Sequence, residues 1–166
     1  MNARGPQIQK TPVSKENDVK ILRMKGSYEA FGVLIEFLSR IEPFARYDLG
    51  NFAQALQRQL QDGDHLAALV RHEMVGYCGW LPTTEKIAQA WQKNEGGIVP
   101  LKNTEVADAV VLTVVAAKDQ VVLTSLIREA RKLNPHRKVF FKREYADDTR
   151  PARKKFVQNT TQGGDS

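Results

Sequence analysis

The chain has 166 residues, of which 42% are hydrophobic and 27% are charged, and its formal net charge is +6. These values are typical of one globular domain with a hydrophobic core of its own. The single cysteine, Cys78, excludes an internal disulfide, and no apolar run approaches the roughly 18 residues that a membrane span requires. Residues 1–18 lack the apolar centre of a signal peptide, so we expect a cytoplasmic protein.

The spacing of apolar residues predicts one domain over 19–159, between polar tails at 1–18 and 160–166 that we expect to be disordered. Cap residues and hydrophobic periods predict nine elements within it. In chain order these are a helix after Ser27 that ends at Pro43, a helix over 50–61, strands over 65–70 and 74–81, a helix from Thr83 or Thr84 to Lys93, a strand over 107–117, a helix after Asp119 that ends at Asn134, and strands over 138–145 and 151–158.

Two features of this order predict how the elements assemble. Only three residues separate the strands over 65–70 and 74–81, which is typical of a β-hairpin. The segment 107–145 is a strand, a helix and a strand, and a parallel pairing of its two strands requires a right-handed crossover. The sequence therefore predicts an α/β fold in which helices flank a central mixed sheet.

Positive charge is concentrated towards the C-terminus, where residues 128–155 contain eleven basic and four acidic side chains. A one-sided basic surface favours an acidic partner, namely a nucleic acid, an anionic lipid, an acidic protein or a phosphorylated cofactor. The alternative is a solvated surface that keeps the protein soluble. We expect this surface to consist of Arg137, Lys138, Lys142, Arg143, Arg150, Arg153, Lys154 and Lys155. Phe140, Phe141 and Tyr145 interleave with these residues, a pattern that suits phosphate contact combined with base stacking.

Several kinds of site are excluded by spacing. Three histidines and one cysteine are scattered without the spacing of a metal site, so we expect no metal. The chain contains neither a phosphate-binding P-loop nor a dinucleotide-binding glycine motif. It also lacks the Gly-x-Ser-x-Gly turn that presents a nucleophilic serine.

The strand–helix–strand segment 107–145 resembles the core of acyltransferases of the Gcn5-related fold. In that fold two parallel strands separate, and the acyl thioester lies in the gap between them. The acetyl-CoA enzymes of the fold carry a glycine-rich turn before the following helix, where backbone amides bind the pyrophosphate. Here residues 118–122 are KDQVV, without glycine, so a standard acetyl-CoA pyrophosphate loop is not expected.

One group within that broad fold also lacks the glycine turn, namely the lysine acyltransferases that activate RTX toxins. The chain resembles this family from Phe31 to Val157, in the segments FGVLIEFLSRIEPFAR, GDHLAALVRHEMVGYCGWL, VVLTVVAAKD and KVFFKREYADDTRPARKKFV. The resemblance implies a Gcn5-related fold and transfer of a fatty acyl group from acyl carrier protein to a lysine of another protein. It implies no tightly bound cofactor.

The chain departs from the family at the two positions that carry its proton chemistry. The family's histidine aligns with Ala45 and its aspartate with Thr113, and an alanine cannot move a proton. The resemblance then leaves Asp48 and Thr113 as candidate catalytic residues. It places Arg46, Tyr77 and Trp80 in the acyl cleft, although ordinary core packing is the alternative for the last two.

Three hypotheses follow from these observations. The first is an acyltransferase with altered chemistry, in which positioning and backbone dipoles retain part of the rate. The second is a catalytically silent module of the same fold that binds acyl carrier protein or an acidic, toxin-like protein through its basic strands. The third is a nucleic-acid-binding protein. Homodimerisation is left open in all three.

Overall fold

The described residues form one six-stranded sheet with helices on both faces. This computed structural model describes residues 18–99, 101–102, 104–143 and 153–157, with the backbone alone at 143 and 153–157. The elements are β1 (Lys20–Leu22), α1 (Tyr28–Leu38), a short 3-10 helix (Phe44–Arg46), α2 (Leu49–Asp62), β2 (His65–Val70), β3 (Glu73–Thr83), α3 (Glu85–Gln92), β4 (Ala109–Ala117), α4 (Gln120–Leu133), β5 (Lys138–Arg143) and β6 (Arg153–Val157).

The strands lie side by side in chain order, β1-β2-β3-β4-β5-β6. Every neighbouring pair is antiparallel except β4 and β5, which are parallel and connected through α4. The predicted α/β fold with a mixed sheet, a β2–β3 hairpin and a parallel strand–helix–strand unit is therefore confirmed.

Each α-helix begins at a side chain that accepts a hydrogen bond from its first turn, which satisfies a backbone N–H that has no partner within the helix. These caps are Ser27, Asp48, Thr84 and Asp119. The caps at Ser27, Thr84 and Asp119 are at predicted helix starts. At the end of α2, Gly63 has a φ of 73°, a left-handed conformation that glycine adopts without steric cost.

The helices cover the sheet unequally. On one face, Leu56 of α2 packs in a cluster with Tyr77 of β3, and Ala88 of α3 packs in another. On the other face, Leu126 of α4 packs in a cluster with Trp80 of β3. The faces of the sheet are therefore covered by α1, α2 and α3 on one side and by α4 on the other.

Strand β4 is buried on both faces, as its continuous apolar sequence predicts. Val110 and Leu112 belong to the cluster under α4, whereas Val114 and Ala116 belong to the cluster under α1 and α2. Alternate residues of a regular strand face the same side. The change of face between Leu112 and Val114 therefore marks an irregularity in β4 at Thr113.

Two strand boundaries differ from the predictions. Strand β1 was not predicted, because it has only three residues and lies in a polar context. Strand β3 continues through Pro82 to Thr83, although Pro82 was expected to end it. Beyond Gly79 this strand pairs with β4 but no longer with β2, and proline is tolerated where one edge of a strand has no partner.

Some of the predictions concern residues that are not described. The tail over 1–18, apart from Asp18, and the tail over 160–166 lie outside the described residues, as does Arg150. The extent of the domain stays a prediction. Within the described ranges, no helix has the length and apolar character needed to cross a membrane.

Candidate active site

The two parallel strands at the centre of the sheet separate halfway along their length. Strand β4 pairs with β5 from Ala109–Lys138 to Leu112–Phe141. Beyond Leu112, β4 continues to Ala117 with β3 as its partner, while β5 pairs with β6. Within the described residues, this leaves a gap between the carboxyl ends of β4 and β5.

The irregularity at Thr113 coincides with this separation. Trp80 of β3 pairs with Leu112, but the preceding residue, Gly79, pairs with Val114, so β4 contains one extra residue at Thr113. Such a β-bulge bends the strand that carries it and increases its local twist. The bulge therefore accounts for the direction in which β4 departs from β5.

A cleft of about 380 Å³ occupies the gap, and we call it the central cleft. It is lined from both faces of the sheet, by Gln120, Leu123 and Ile127 of α4 on one side and by Phe44, Tyr47 and Trp91 on the other. The other described lining residues are Ile41, Glu42, Pro43, Leu112, Thr113, Val115, Ala116, Ala117, Phe141 and Lys142. A ligand in this cleft can therefore be approached from either face.

The central cleft is mainly apolar, with a carboxylate and an ammonium group among its described lining residues. Glu42 Oε2 is 3.1 Å from Arg46 Nε, and its side chain is 42% exposed. Lys142 Nζ is 4.2 Å from the centre of the Trp91 ring and 2.6 Å from Asn94 Oδ1. No group of three histidine, cysteine or acidic side chains within the described ranges is arranged to hold a metal ion.

Thr113 is connected to the core by a chain of side-chain hydrogen bonds. Gln59 Nε2 donates to Thr113 Oγ1 at 2.5 Å, and Tyr77 Oη donates to Gln59 Oε1 at 3.1 Å. Thr113 Oγ1 in turn lies 3.4 Å from the Gly79 carbonyl oxygen. Both polar ends of the buried Gln59 amide are thus satisfied, as burial requires.

His65 supports this chain from the opposite side. Its Nε2 accepts a hydrogen bond from the Met24 N–H at 2.9 Å, so Nδ1 carries the proton and donates it to the Gln59 carbonyl oxygen at 3.0 Å. The imidazole stacks on the Tyr77 ring with centroids 5.8 Å apart. Burial lowers the pKa of His65, because the charged form would lose its hydration. The same effect raises the pKa of Tyr77, so both groups are held neutral.

The structure brings few of the predicted site residues into the central cleft. Thr113 is among the described lining residues, whereas Ala45, Arg46 and Asp48 are not. Ala45 is in the 3-10 helix next to the lining residue Phe44, and Arg46 pairs with Glu42. The Asp48 carboxylate caps α2 and accepts the Gly50 N–H at 3.2 Å. Capping α2 is therefore a sufficient structural role for the Asp48 carboxylate, without a role in acyl transfer.

Tyr77 and Trp80, which were placed in the acyl cleft by resemblance, are 0% and 1% exposed. Neither is among the described residues that line the central cleft. Trp80 packs under α4, and Tyr77 reaches the cleft only indirectly, through Gln59 and Thr113. Both rings therefore lie in the core, which was the alternative prediction for them.

The predicted basic surface is distributed over β5 and β6. Lys138 Nζ is 2.6 Å from Glu85 Oε1, and Arg137 donates to the Asn134 side chain at 3.3 Å. In the backbone register the basic pairs are Lys142 opposite Lys154 and Arg143 opposite Arg153, and Lys155 lies opposite Phe141. Of the interleaved aromatic residues, Phe140 is 1% exposed, which removes it from any stacking surface.

Four residues of the site were not predicted as site residues from the sequence: Glu42, Gln59, Trp91 and Lys142, the last of which was assigned only to the basic surface. The sequence around Gln59 does contain a signal for its role. This residue lies three residues after Leu56 and directly before Leu60, on the apolar face of α2, where a polar side chain must be hydrogen-bonded. The others come together only through the folding of the loop after α1 against the end of α3 and β5.

The N-terminus of α4 opens beside the central cleft. The Asp119 carboxylate accepts the Val122 N–H at 2.8 Å, and the Leu123 N–H bonds to the Asp119 carbonyl oxygen at 3.1 Å. Helix N-termini attract anions because their first backbone N–H groups have no partner within the helix and because of the helix dipole. Here the Asp119 carboxylate already accepts one of these N–H groups.

The separated parallel strands and the cleft between them define a Gcn5-related N-acyltransferase fold. The chain is similar to an arylalkylamine N-acetyltransferase-like protein, 5b, from mosquito, at a TM-score of 0.55 and 9% identity over 76% of each chain. It is similar to the loading GNAT-like domain of CurA from Lyngbya majuscula at a TM-score of 0.54 and 12% identity, over 81% of this chain and 71% of that one. At such identities the likeness is one of fold.

No protein-family model matches the sequence, and no curated protein is significantly similar to it. The expected kinship with the toxin-activating acyltransferases therefore stays a prediction.

Proposed function

We propose that this protein transfers an acyl group from a carrier-protein thioester to an amine, with the thioester lying in the central cleft. The observation that carries this proposal is the separation of β4 from β5 after Leu112 and Phe141. It opens a mainly apolar cleft in the middle of the described sheet. Pockets of a few hundred cubic ångströms lined by apolar side chains are the usual sites of small ligands.

The exposed edge of β4 suits the pantetheine arm of such a donor. From Val114 to Ala117 the strand pairs with β3 on one side and borders the cleft on the other. An extended chain with amide groups can bind an open strand edge as an additional strand. The pantetheine arm has two amides and is extended, so its hydrogen bonds to β4 would direct the thioester towards Thr113.

The N-terminus of α4 favours a carrier protein over coenzyme A as the donor. The Asp119 carboxylate occupies the place where a pyrophosphate would meet backbone N–H groups, and two negative groups there repel each other. A carrier protein presents the same arm on a single phosphodiester. Carrier proteins are acidic, so the basic residues of β5 and β6 would steer their approach.

Glu42 is the carboxylate that lines the cleft from the face opposite α4. A lysine entering from that face as the neutral amine would attack the thioester carbonyl carbon, and its nitrogen would transfer one proton to Glu42 as the C–N bond forms. The C–S bond then breaks, and Glu42 passes that proton to the departing thiolate. General-base catalysis of this kind contributes roughly 10²–10⁴-fold in rate.

The test is to incubate the purified protein with octanoyl carrier protein or octanoyl-CoA, in the presence of a lysine-containing peptide. The release of thiol and the mass of the peptide are followed. We expect an amide product, formed faster from the carrier protein. No product from either donor would contradict the proposal.

A matched pair of variants places the reaction in the cleft. Ala117→Phe puts a ring into the cleft wall, whereas Ala55→Phe puts the same ring on the exposed side of α2. We expect the first to lose most of the activity and the second to keep it. Equal activity of the two variants would mean that the thioester lies elsewhere.

A further inference from the structure

We propose that the Thr113 hydroxyl donates a hydrogen bond to the oxygen of the reacting thioester carbonyl, and that Gln59 positions it to do so. The inference rests on the proposed acyl transfer and adds a catalytic residue and a positioning residue to it. The family position matched by Thr113 is an acid in the resemblance, whereas a hydroxyl there can act only as a hydrogen-bond donor or acceptor at neutral pH.

The direction of the hydrogen bonds decides which of these roles Thr113 takes. Tyr77 Oη donates to Gln59 Oε1 at 3.1 Å, which fixes the amide so that its Nε2 donates to Thr113 Oγ1 at 2.5 Å. The Thr113 oxygen is therefore an acceptor towards the core. Its own proton must point away from Gln59.

Among the described residues, that proton has only a weak partner. The Gly79 carbonyl oxygen is 3.4 Å from Thr113 Oγ1, beyond the usual O–H···O range of about 2.5–3.0 Å. A hydroxyl that lines the cleft can rotate from this contact to a ligand oxygen at little cost. Consecutive hydrogen bonds also polarise one another, so the bonds from Tyr77 and Gln59 make the Thr113 hydroxyl a better donor.

The arrangement is built into the backbone at two places. The bulge at Thr113 exposes the residue at the point where β4 leaves β5. Gly79 leaves room for the Gln59 amide, since a Cβ at that position would be 2.1 Å from Gln59 Oε1. His65 fixes the backbone of Gln59 by donating to its carbonyl oxygen.

In the reaction, the amine nitrogen forms a bond to the thioester carbon while the carbonyl π electrons move onto oxygen. The Thr113 O–H stabilises this oxyanion and keeps its proton. When the oxyanion collapses, the C–S bond breaks, the thiolate leaves, and the proton lost by the amine goes to sulfur. A donor of this kind acts mainly in the transition state, so it contributes to kcat more than to KM.

The test compares variants with octanoyl carrier protein and the lysine peptide. We expect Thr113→Val, which keeps the shape and loses the hydroxyl, to lower kcat by about 10²–10³-fold with little change in the KM for the donor. Thr113→Ser keeps a hydroxyl and should recover most of the rate. Thr104→Val, an exposed position away from the cleft, should match the parent protein.

The role of Gln59 is tested by Gln59→Glu, whose carboxylate would accept the Thr113 proton and withdraw it from the cleft. We expect a kcat loss close to that of Thr113→Val, and no further loss when both changes are combined, since residues that act through one group are not additive. Gln54→Glu, on the exposed side of α2, is the matched control. If Gln59→Glu does not fold, the Thr113 variants decide alone.

The outcomes separate the two proposals. If the parent protein transfers no acyl group, the proposed function fails and this inference fails with it. If the parent protein is active and Thr113→Val keeps its kcat within about threefold, or Thr113→Ser is as slow as Thr113→Val, the proposed function stands and the role of Thr113 is wrong.

Discussion

The Gln59 amide packs directly against Gly79 in the core, in the space that the Cβ of any other residue at position 79 would fill. A Cβ there would lie 2.1 Å from Gln59 Oε1 and 2.9 Å from Tyr77 Cε1. We expect Gly79→Ala to lower the free energy of unfolding by about 1–3 kcal/mol, the usual cost of overpacking. Urea unfolding followed by circular dichroism measures it.

The control for this change is Gly32→Ala, on the exposed side of α1, where nothing lies within 4 Å of an added Cβ. Alanine is the better helix former by up to about 1 kcal/mol, so this variant should be as stable as the parent protein or more so. Equal effects of the two substitutions would show that the space beside Gly79 is open.

His65 should make the stability depend on pH. Burial lowers the pKa of this imidazole in the folded state, so around and below pH 6.5 the unfolded chain binds more protons at this site than the folded protein does. The free energy of unfolding should therefore fall as the pH falls from 7.5 to 5.5, with a slope of at most about 1.4 kcal/mol per pH unit. Burial raises the pKa of Asp64, which acts in the opposite sense at lower pH.

The measurement is urea unfolding at several pH values for the parent protein, His65→Gln and His72→Gln. The first variant should lose much of the pH dependence, whereas the second, at an exposed turn position, should retain it. Parallel curves for the parent protein and His65→Gln would mean that this imidazole is protonated alike in both states.

For single residues, the sequence indicates that Thr113 belongs to the candidate site, but it does not indicate the role of its hydroxyl. The resemblance to the toxin-activating acyltransferases implies an acid at this position, and the structure shows the Thr113 hydroxyl hydrogen-bonded to Gln59, 54 residues away in the sequence. No local pattern specifies such a contact, because it depends on the packing of α2 against β3 and β4. Tyr77 and Trp80 were assigned to the acyl cleft but are buried in the core. The sequence could not distinguish the two, since large aromatic residues in a strand suit a core as well as a ligand site.

In the proposed function, the N-terminus of helix α4 discriminates between the two possible donors. Asn caps a helix about as well as Asp, so Asp119→Asn should leave the stability nearly unchanged while removing the negative charge beside the cleft. A charge near a helix end is worth about 0.3–1 kcal/mol, so we expect kcat/KM for octanoyl-CoA, relative to octanoyl carrier protein, to rise roughly two- to fivefold.

The matched control is Asp62→Asn, an exposed carboxylate at the end of α2, which should leave the donor ratio as it is. An unchanged ratio in Asp119→Asn would mean that the phosphate of the donor does not approach the N-terminus of α4.

Most of the elements could be predicted from the sequence, because caps and apolar spacing are local signals. The helix starts at Ser27, Thr84 and Asp119 and the strand over 65–70 are at their predicted positions. Strand β1 and the continuation of β3 beyond Pro82 depend on neighbouring strands instead. The bulge at Thr113 likewise exists only in the register between β3 and β4, which no single segment encodes.

For the whole molecule, the decisive feature is the separation of β4 from β5, the two parallel neighbours at the centre of the described sheet. The resemblance to the Gcn5-related fold predicted this gap, and the structure and its likeness to solved acyltransferases confirm the fold. The acyl donor, the lysine acceptor and an acidic protein partner stay proposals. Strand β5 contributes Phe141 and Lys142 to the cleft and pairs with β6, so the proposed acidic partner would bind next to the site.

The most direct measurement of the central claim is an NMR titration with a ketone analogue of S-octanoyl pantetheine, in which a CH₂ group between the sulfur and the carbonyl carbon prevents acyl transfer. We expect the largest amide shift changes at residues 112–117 of β4 and at Phe141 and Lys142, and their loss in Ala117→Phe. Shift changes centred on other strands would contradict an acyl thioester between β4 and β5. So would the absence of shift changes in both the parent protein and Ala55→Phe, provided that both are folded.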